Sequence, residues 1–277
     1  MTRRLYKLTS IARPLEPAYP TNLAVLLLVP LAALLAAWMS MAGIHALTAP
    51  LRAAITTSLA AFGAWAVTRE LAPDDNPAAF VSMLLAAVAS VVMPFDSLLP
   101  LFVTLLLVRI VNQSTGLRAT LVDTLLVTVF AAWAAWNLGA PLIAAAAALA
   151  FALDAILPAG SARSWVPALA LAALAVARLL FADDVTWVAD GLPGLSWLVL
   201  GTIMAAYVLA LLRTRSVAST GDATGALLSP RRVRAGMLVG ALAACWFVLT
   251  TGGADARPEA PLFACLAGVA AGSLVRR

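Results

Sequence analysis

Charge in this chain alternates from one gap between apolar stretches to the next: of the eighteen Lys and Arg residues, all but Arg52, Arg178 and Arg257 fall in every second gap or at the termini. The stretches are ten: 22–41, 51–68, 78–93, 97–111, 119–136, 141–157, 165–182, 195–212, 235–250 and 261–275. A bilayer core about 30 Å thick takes roughly 20 helical residues, and the positive-inside rule assigns the arginine-rich face to the cytoplasm. The pattern therefore predicts a polytopic transmembrane bundle of about ten helices with both termini cytoplasmic. The third and fourth stretches are short. They form either two spans or a re-entrant hairpin turning at Pro94, Phe95 and Asp96, which would leave eight spans without changing the orientation.

A chain that is 63% hydrophobic and 11% charged holds more apolar surface than a soluble fold of 277 residues can bury. Hydrocarbon cannot hydrogen-bond the backbone, so spanning elements are helices or closed barrels. The run Asn22 to Met41 lacks the alternation of a barrel strand. The expected fold class is all-α, one integral membrane domain over 1–277, located in the cell inner membrane. A net charge of +5 on arginines beside apolar runs suits anionic phospholipid headgroups as partners and not nucleic acid. Lys7 is the sole lysine, which excludes a retinal Schiff base and a buried lysine nucleophile.

Residues 1–21 read as a cytoplasmic interfacial segment, with Leu5, Leu8 and Ile11 at helical spacing among basic residues. Thr2-Arg3-Arg4 has the look of a twin-arginine export signal, but the many spans that follow argue against cleavage. Residues 213–234, with Ser219, Thr220, Gly221 and Gly225, have the composition of a flexible cytoplasmic loop. The tract Ala144 to Ala150 predicts a helix in the bundle interior, where small side chains let backbones approach.

One polar layer breaks the apolar pattern. The second segment ends in Arg69-Glu70, the fourth returns to the same face with Arg109, Asn112 and Gln113, the fifth leaves it with Asp123, and Asp154 ends the sixth. Charges at membrane depth are costly unless paired or hydrated, and they normally face a bundle interior or a watery cavity. Arg69 and Arg109 against Glu70, Asp123 and Asp154 is the expected constellation. It is either a cavity that binds an anionic group or an ion-pair network that fixes helix register.

In the loop after Glu70, Asp74 and Asp75 could hold Mg²⁺ against a diphosphate or could cap the third helix. Asp74-Asp75-Asn76 resembles the acidic loops of membrane prenyltransferases of the UbiA type, which implies a Mg²⁺-dependent enzyme acting on a lipid-linked phosphate. The spacing departs from that family's NDxxDxxxD motif, Pro77 follows at once, and later loops offer no second acidic pair. Cys245 and Cys265 read as packing residues, His45 as a lone exposed histidine, and Trp38, Trp133, Trp136, Trp187 and Trp246 as an interfacial belt.

The ten-helix layout with both termini inside is similar to that of the drug/metabolite transporter superfamily. The leading expectation is a secondary transporter or flippase-like carrier whose substrate is an anionic small molecule or lipid. In that reading Arg69 and Arg109 bind the anion, Asn112 and Gln113 orient it, Asp123 or Asp154 exchanges a proton, and no cofactor is needed. The alternatives are the lipid-phosphate enzyme, with Mg²⁺ on Asp74, Asp75 and Glu70, and a non-catalytic assembly subunit.

Overall fold

The computed structural model describes Tyr6 and residues 8–93, 97–138, 140–181, 194–250 and 260–275. Arg3, Arg4, Lys7, Arg257, Arg276, Arg277, Trp187, the Pro94–Asp96 turn and the side chain of Trp246 lie outside this set. The described residues form ten α-helices and no strand beyond one isolated bridge. They are α1 (Pro20–Met41), α2 (Pro50–Leu71), α3 (Asn76–Val92), α4 (Leu99–Asn112), α5 (Leu121–Asn137), α6 (Pro141–Ile156), α7 (Trp165–Phe181), α8 (Gly194–Arg213), α9 (Pro230–Thr250) and α10 (Ala260–Val275). A 3-10 turn, Ala162–Ser164, leads into α7.

Proline sets many of the starts. It occupies the first turn of α1, α2, α3, α4 and α6, where its missing N–H would have had no helical partner and its fixed φ suits the helix. Asp75 caps α3 by accepting from the Ala78 N–H at 3.0 Å. Thr120 and Asp123 form a reciprocal capping box at α5.

Helices α2, α4, α6 and α9 make the centre, α10 packs against α2, α3 and α8, and α1 lies on α2. The interior is built largely from alanine. Ala60, Ala61 and Ala64 of α2 and Ala144, Ala146, Ala147 and Ala150 of α6 are all buried. On α10, a Cβ at Gly268 would fall 1.9 Å from Ser82 Oγ and 2.6 Å from the Ala78 carbonyl, so α3 and α10 meet where only glycine fits.

The outer surface is apolar in the opposite sense to a soluble fold. Leu27, Leu34, Leu84, Leu126, Leu169 and Phe181 point outward, and Trp38, Trp133 and Trp136 are exposed among them. Two helical stretches, Pro20–Met41 and Ala162–Phe181, are long and apolar enough to cross a membrane. Helices α3, α4, α5, α6 and α10 are shorter, with 14 to 17 residues.

Helix α3 runs from the end of the bundle that holds Asp74 to the opposite end, where the Val91 carbonyl accepts from Ala46 N–H at 2.8 Å in the α1–α2 connection. Helix α4 returns to the first end and delivers Arg109 there. Helix α3 therefore runs the height of the bundle, whereas α4, whose Leu101 packs on Gly63 near the middle of α2, starts part-way along it.

His45, expected to be exposed, is 4% exposed in that opposite end. The Leu47 N–H donates to Nδ1 at 2.9 Å, so the ring proton sits on Nε2 and is shared with Thr57 Oγ1 at 3.1 Å, which also accepts from Ser90 Oγ at 2.7 Å. Burial lowers the His45 pKa. A histidine held neutral in the fold favours the unfolded chain once that chain protonates. Stability is thus expected to be level above about pH 6.5 and to fall below it. Thermal unfolding across this range should show the decline in the wild type and lose most of it in His45→Gln.

Candidate functional site

The arginine-rich end of the bundle gathers side chains from five chain segments. Glu70, in the last turn of α2, is 1% exposed and is the hub. Its Oε1 accepts from Arg109 Nε at 3.0 Å and from Arg13 Nη1 at 3.1 Å. Arg13 turns its other edge onto Asp222 in a two-bond fork, Nε to Oδ2 and Nη2 to Oδ1 at 2.9 Å. Burial alone would lower the Arg13 pKa, but Glu70 and Asp222 outweigh it and hold the guanidinium above its ordinary value. Glu70 Oε2, beside the Ser114 hydroxyl, makes no hydrogen bond of good geometry.

These groups wall a cavity of about 570 Å³ that also touches Tyr6, Tyr19, Asn22, Phe62, Trp65 and Arg69. Its ionic lining is balanced in number, with Arg13, Arg69 and Arg109 against Glu16, Glu70 and Asp222. It is not balanced in pairing. Glu70 and Asp222 are taken by Arg13 and Arg109, and Glu16 is exposed at the rim. Arg69 has no carboxylate within 4 Å among the described residues; Nη1 donates to Asn22 Oδ1 at 3.3 Å and the guanidinium lies 5.2 Å above the Trp65 ring. Trp65 is 5% exposed, and its buried indole N–H has no hydrogen-bond partner. The cavity thus presents one guanidinium free of carboxylate, held at a fixed angle by an amide and an aromatic face.

The remaining residues of the expected constellation lie elsewhere. Asn112 donates to the Glu70 carbonyl at 2.6 Å and so ties α4 to the end of α2. Gln113 caps α4 in the left-handed region at φ 49° and donates to Asp154 Oδ1 at 3.1 Å and to the Ala159 carbonyl at 3.2 Å. Asp154, 0% exposed, faces neither Arg69 nor Arg109. Its partners are Arg232 Nη1 at 3.0 Å and Ser164 Oγ at 2.7 Å. Asp123 accepts from the Ser10 N–H at 2.7 Å, Ser10 Oγ at 2.9 Å, the Thr120 N–H at 3.0 Å and Thr9 Oγ1. That carboxylate anchors the N-terminal segment. None of these four lines the cavity.

Residues 9–16, read from sequence as part of an interfacial segment, cross the end of the bundle without helix. Thr115 Oγ1 and Arg109 Nη1 hold the Ser10 and Ile11 carbonyls at 2.7 and 3.1 Å. The glycine- and serine-rich loop is fastened as well. Asp74 accepts from the Ala218 N–H, the Ser219 N–H and Ser219 Oγ at 2.6 to 2.9 Å, and the Ala223 N–H reaches the Thr115 carbonyl at 3.0 Å. Asp74 and Asp75 therefore serve the loop and the α3 cap. No group of three or more His, Cys, Asp or Glu side chains that could hold a metal occurs among the described residues.

Sequence reasoning passed over Arg13, Asn22, Trp65, Asp222 and Arg232. Two signals were available. Trp65 and Arg69 stand four apart on one helix, the spacing of side-chain neighbours. Ser229-Pro230 is a helix start that puts Arg232 inside α9 and not in a loop. Nothing local marks Arg13 or Asp222, whose pairing spans 209 residues. Comparison of the chain with known protein families, with curated proteins and with solved structures finds no match.

Proposed function

We propose that the chain is a multi-pass inner-membrane carrier of the secondary-transporter or flippase type, whose ten helices cross the bilayer with both termini in the cytoplasm and whose polar cavity binds an anionic group. The outward leucines and tryptophans support lipid as the solvent of the outer surface. The course of α3 to the opposite end favours ten crossings over eight with a hairpin, and the short α4 suits a locally thinned bilayer. The arginine alternation orients the cavity toward the cytoplasm.

The observation that carries the binding role is Arg69. A guanidinium at membrane depth without a carboxylate partner is expensive, and it is retained where a ligand or water supplies the missing acceptor. Trp65, with an unpartnered N–H, offers a second donor on the same wall. Arg109 and Arg13 hold Glu70 and shape the cavity.

Arg69→Ala is therefore the informative variant, since it breaks no ion pair among the described residues. Mass spectrometry of protein purified in mild detergent is expected to find an anionic metabolite or phosphorylated lipid on the wild type and to find it depleted at least about tenfold, about 1.4 kcal/mol of affinity, on Arg69→Ala. Identical bulk phospholipid on both would overturn the assignment of the cavity as a binding site.

A further inference from the structure

The charges on the cavity wall do not cancel evenly around Arg69. Of the described lining residues, Arg13, Arg69 and Arg109 are cationic and Glu16, Glu70 and Asp222 anionic. Glu16 stands exposed at the rim, so inside it three guanidinium groups meet two carboxylates. Arg13 and Arg109 are largely buried and both bond Glu70, and Arg13 also forks onto Asp222. Among the described residues the surplus is a single positive charge, and it sits on Arg69.

Asp222 reaches this wall from the loop between α8 and α9, and the loop is closely seated. The Gly221 N–H donates to the Ala226 carbonyl at 2.8 Å and the Ala223 N–H to the Thr115 carbonyl at 3.0 Å. A Cβ at Gly221 would fall 2.7 Å from the backbone nitrogen of Gly116, so the loop lies on the α4–α5 connection at a point that only glycine permits. The outer side of Asp222 is open to solvent, yet the Arg13 fork keeps its carboxylate on the cavity wall. Its charge is felt at Arg69, as is that of Glu70.

Two carboxylates that already act on the binding guanidinium limit what it can accept. A ligand with one negative charge completes the count. A ligand with two leaves one of them uncompensated beside Glu70 and Asp222, at a depth where an unpaired charge costs more than in water. Repulsion of this kind separates ligands of the same shape, which attraction to one arginine does not.

We infer that the cavity takes a singly charged oxyanion in preference to a doubly charged one, and that Asp222 is the residue that sets this limit. This rests on the reading of the cavity as an anion site and narrows its substrate class. A phosphate monoester has a second pKa of about 6 and is largely dianionic at neutral pH, so it falls outside the class, whereas a sulfate ester of the same shape falls inside.

Phenyl sulfate and phenyl phosphate share that shape and differ by one charge at about pH 8. Their common ring suits the aromatic part of the wall, where the Phe62 and Trp65 rings lie 6.0 Å apart on the same helix as Arg69. Titration calorimetry on full-length protein in nanodiscs of zwitterionic lipid, at fixed ionic strength, is expected to show wild type binding the sulfate at least about fivefold more tightly at that pH. At about pH 5, where the phosphate ester carries one charge, the two should bind within about twofold of each other. Asp222→Asn keeps the size of the side chain and should tighten phenyl phosphate at least about threefold at the higher pH while changing phenyl sulfate less, which also shows that the variant is folded. Arg69→Gln should weaken both esters together. Equal binding of the two by wild type at the higher pH, or a preference for the sulfate that persists at the lower, overturns the single-charge inference and leaves the anion cavity standing. A preference unaltered in Asp222→Asn, or loss of both esters there, overturns the role of Asp222. Phenyl sulfate binding that is absent, or indifferent to Arg69→Gln, overturns the cavity reading itself, and this inference with it.

Discussion

Replacing Arg232 by methionine is expected to destabilise the protein by about 3–5 kcal/mol, the cost of leaving a buried charge without its partner. Arg232 is 3% exposed and Asp154 is 0% exposed. The guanidinium bonds the Asp154 carboxylate at 3.0 Å, the Val111 carbonyl at 2.7 Å and the Pro158 carbonyl at 2.9 Å. Through these bonds one side chain of α9 closes the ends of α4 and α6. Its loss orphans two carbonyls as well as the carboxylate, and the remaining donors to Asp154, Gln113 and Ser164, are neutral. Thermal unfolding in detergent measures the loss. The control is the double variant Arg232→Met with Asp154→Leu, which removes both charges and should recover much of the stability, because an apolar pair can replace a buried ion pair at little cost. A single variant as stable as the wild type would show that the pair is hydrated and contributes little.

Glu70→Gln is expected to cost a similar amount, about 3–5 kcal/mol, with a different signature. The amide leaves Arg13 and Arg109 facing each other with no carboxylate between them. Arg13 still has Asp222, but Arg109 keeps only the Ile11 carbonyl among its described partners. The segment that crosses the bundle end is held by these arginines, by Asp123 and by Thr115, so it should loosen first. Limited proteolysis should cut between residues 9 and 16 sooner in Glu70→Gln than in the wild type, before the helices unfold. Asp123→Asn should expose the same segment through the other anchor. Unaltered protection in both variants would show that the segment is fastened by something other than these carboxylates.

How much of this was legible in the sequence differs between helices and site. The ten apolar runs coincide with the ten helices to within a few residues at most ends, because hydrophobic length and first-turn prolines are local properties. The largest differences fall where a helix continues into polar residues. Helix α2 runs on through Arg69 and Glu70 to Leu71, and α9 begins at Pro230, five residues before its apolar run. Hydropathy stops at the first charge, whereas a helix stops where its backbone loses partners. That five-residue difference hid Arg232, which looked like a loop charge and is a buried ion-pair partner.

The constellation at the polar end was legible as a set and not as a set of pairs. The chain shows that Arg69, Glu70, Arg109, Asp123 and Asp154 return to one face. Only Glu70 with Arg109 meets as expected, while Asp154 takes Arg232 and Asp123 takes the N-terminal segment. Loop composition misled in the same way: residues 217–228, rich in small polar side chains, are fixed by Asp74, Arg13 and the α4–α5 connection and form a wall of the cavity.

The sequence by itself determined the helical class, the number and order of helices, the alanine interior and the end at which charge collects. Each follows from a pattern read within one segment or between adjacent ones. Only the tertiary structure decided which arginine of the cavity lacks a carboxylate among the described residues and which segment closes the polar end. Those outcomes depend on contacts between residues up to 209 positions apart, where the energy of a pair is set by depth and angle and leaves no trace in local spacing.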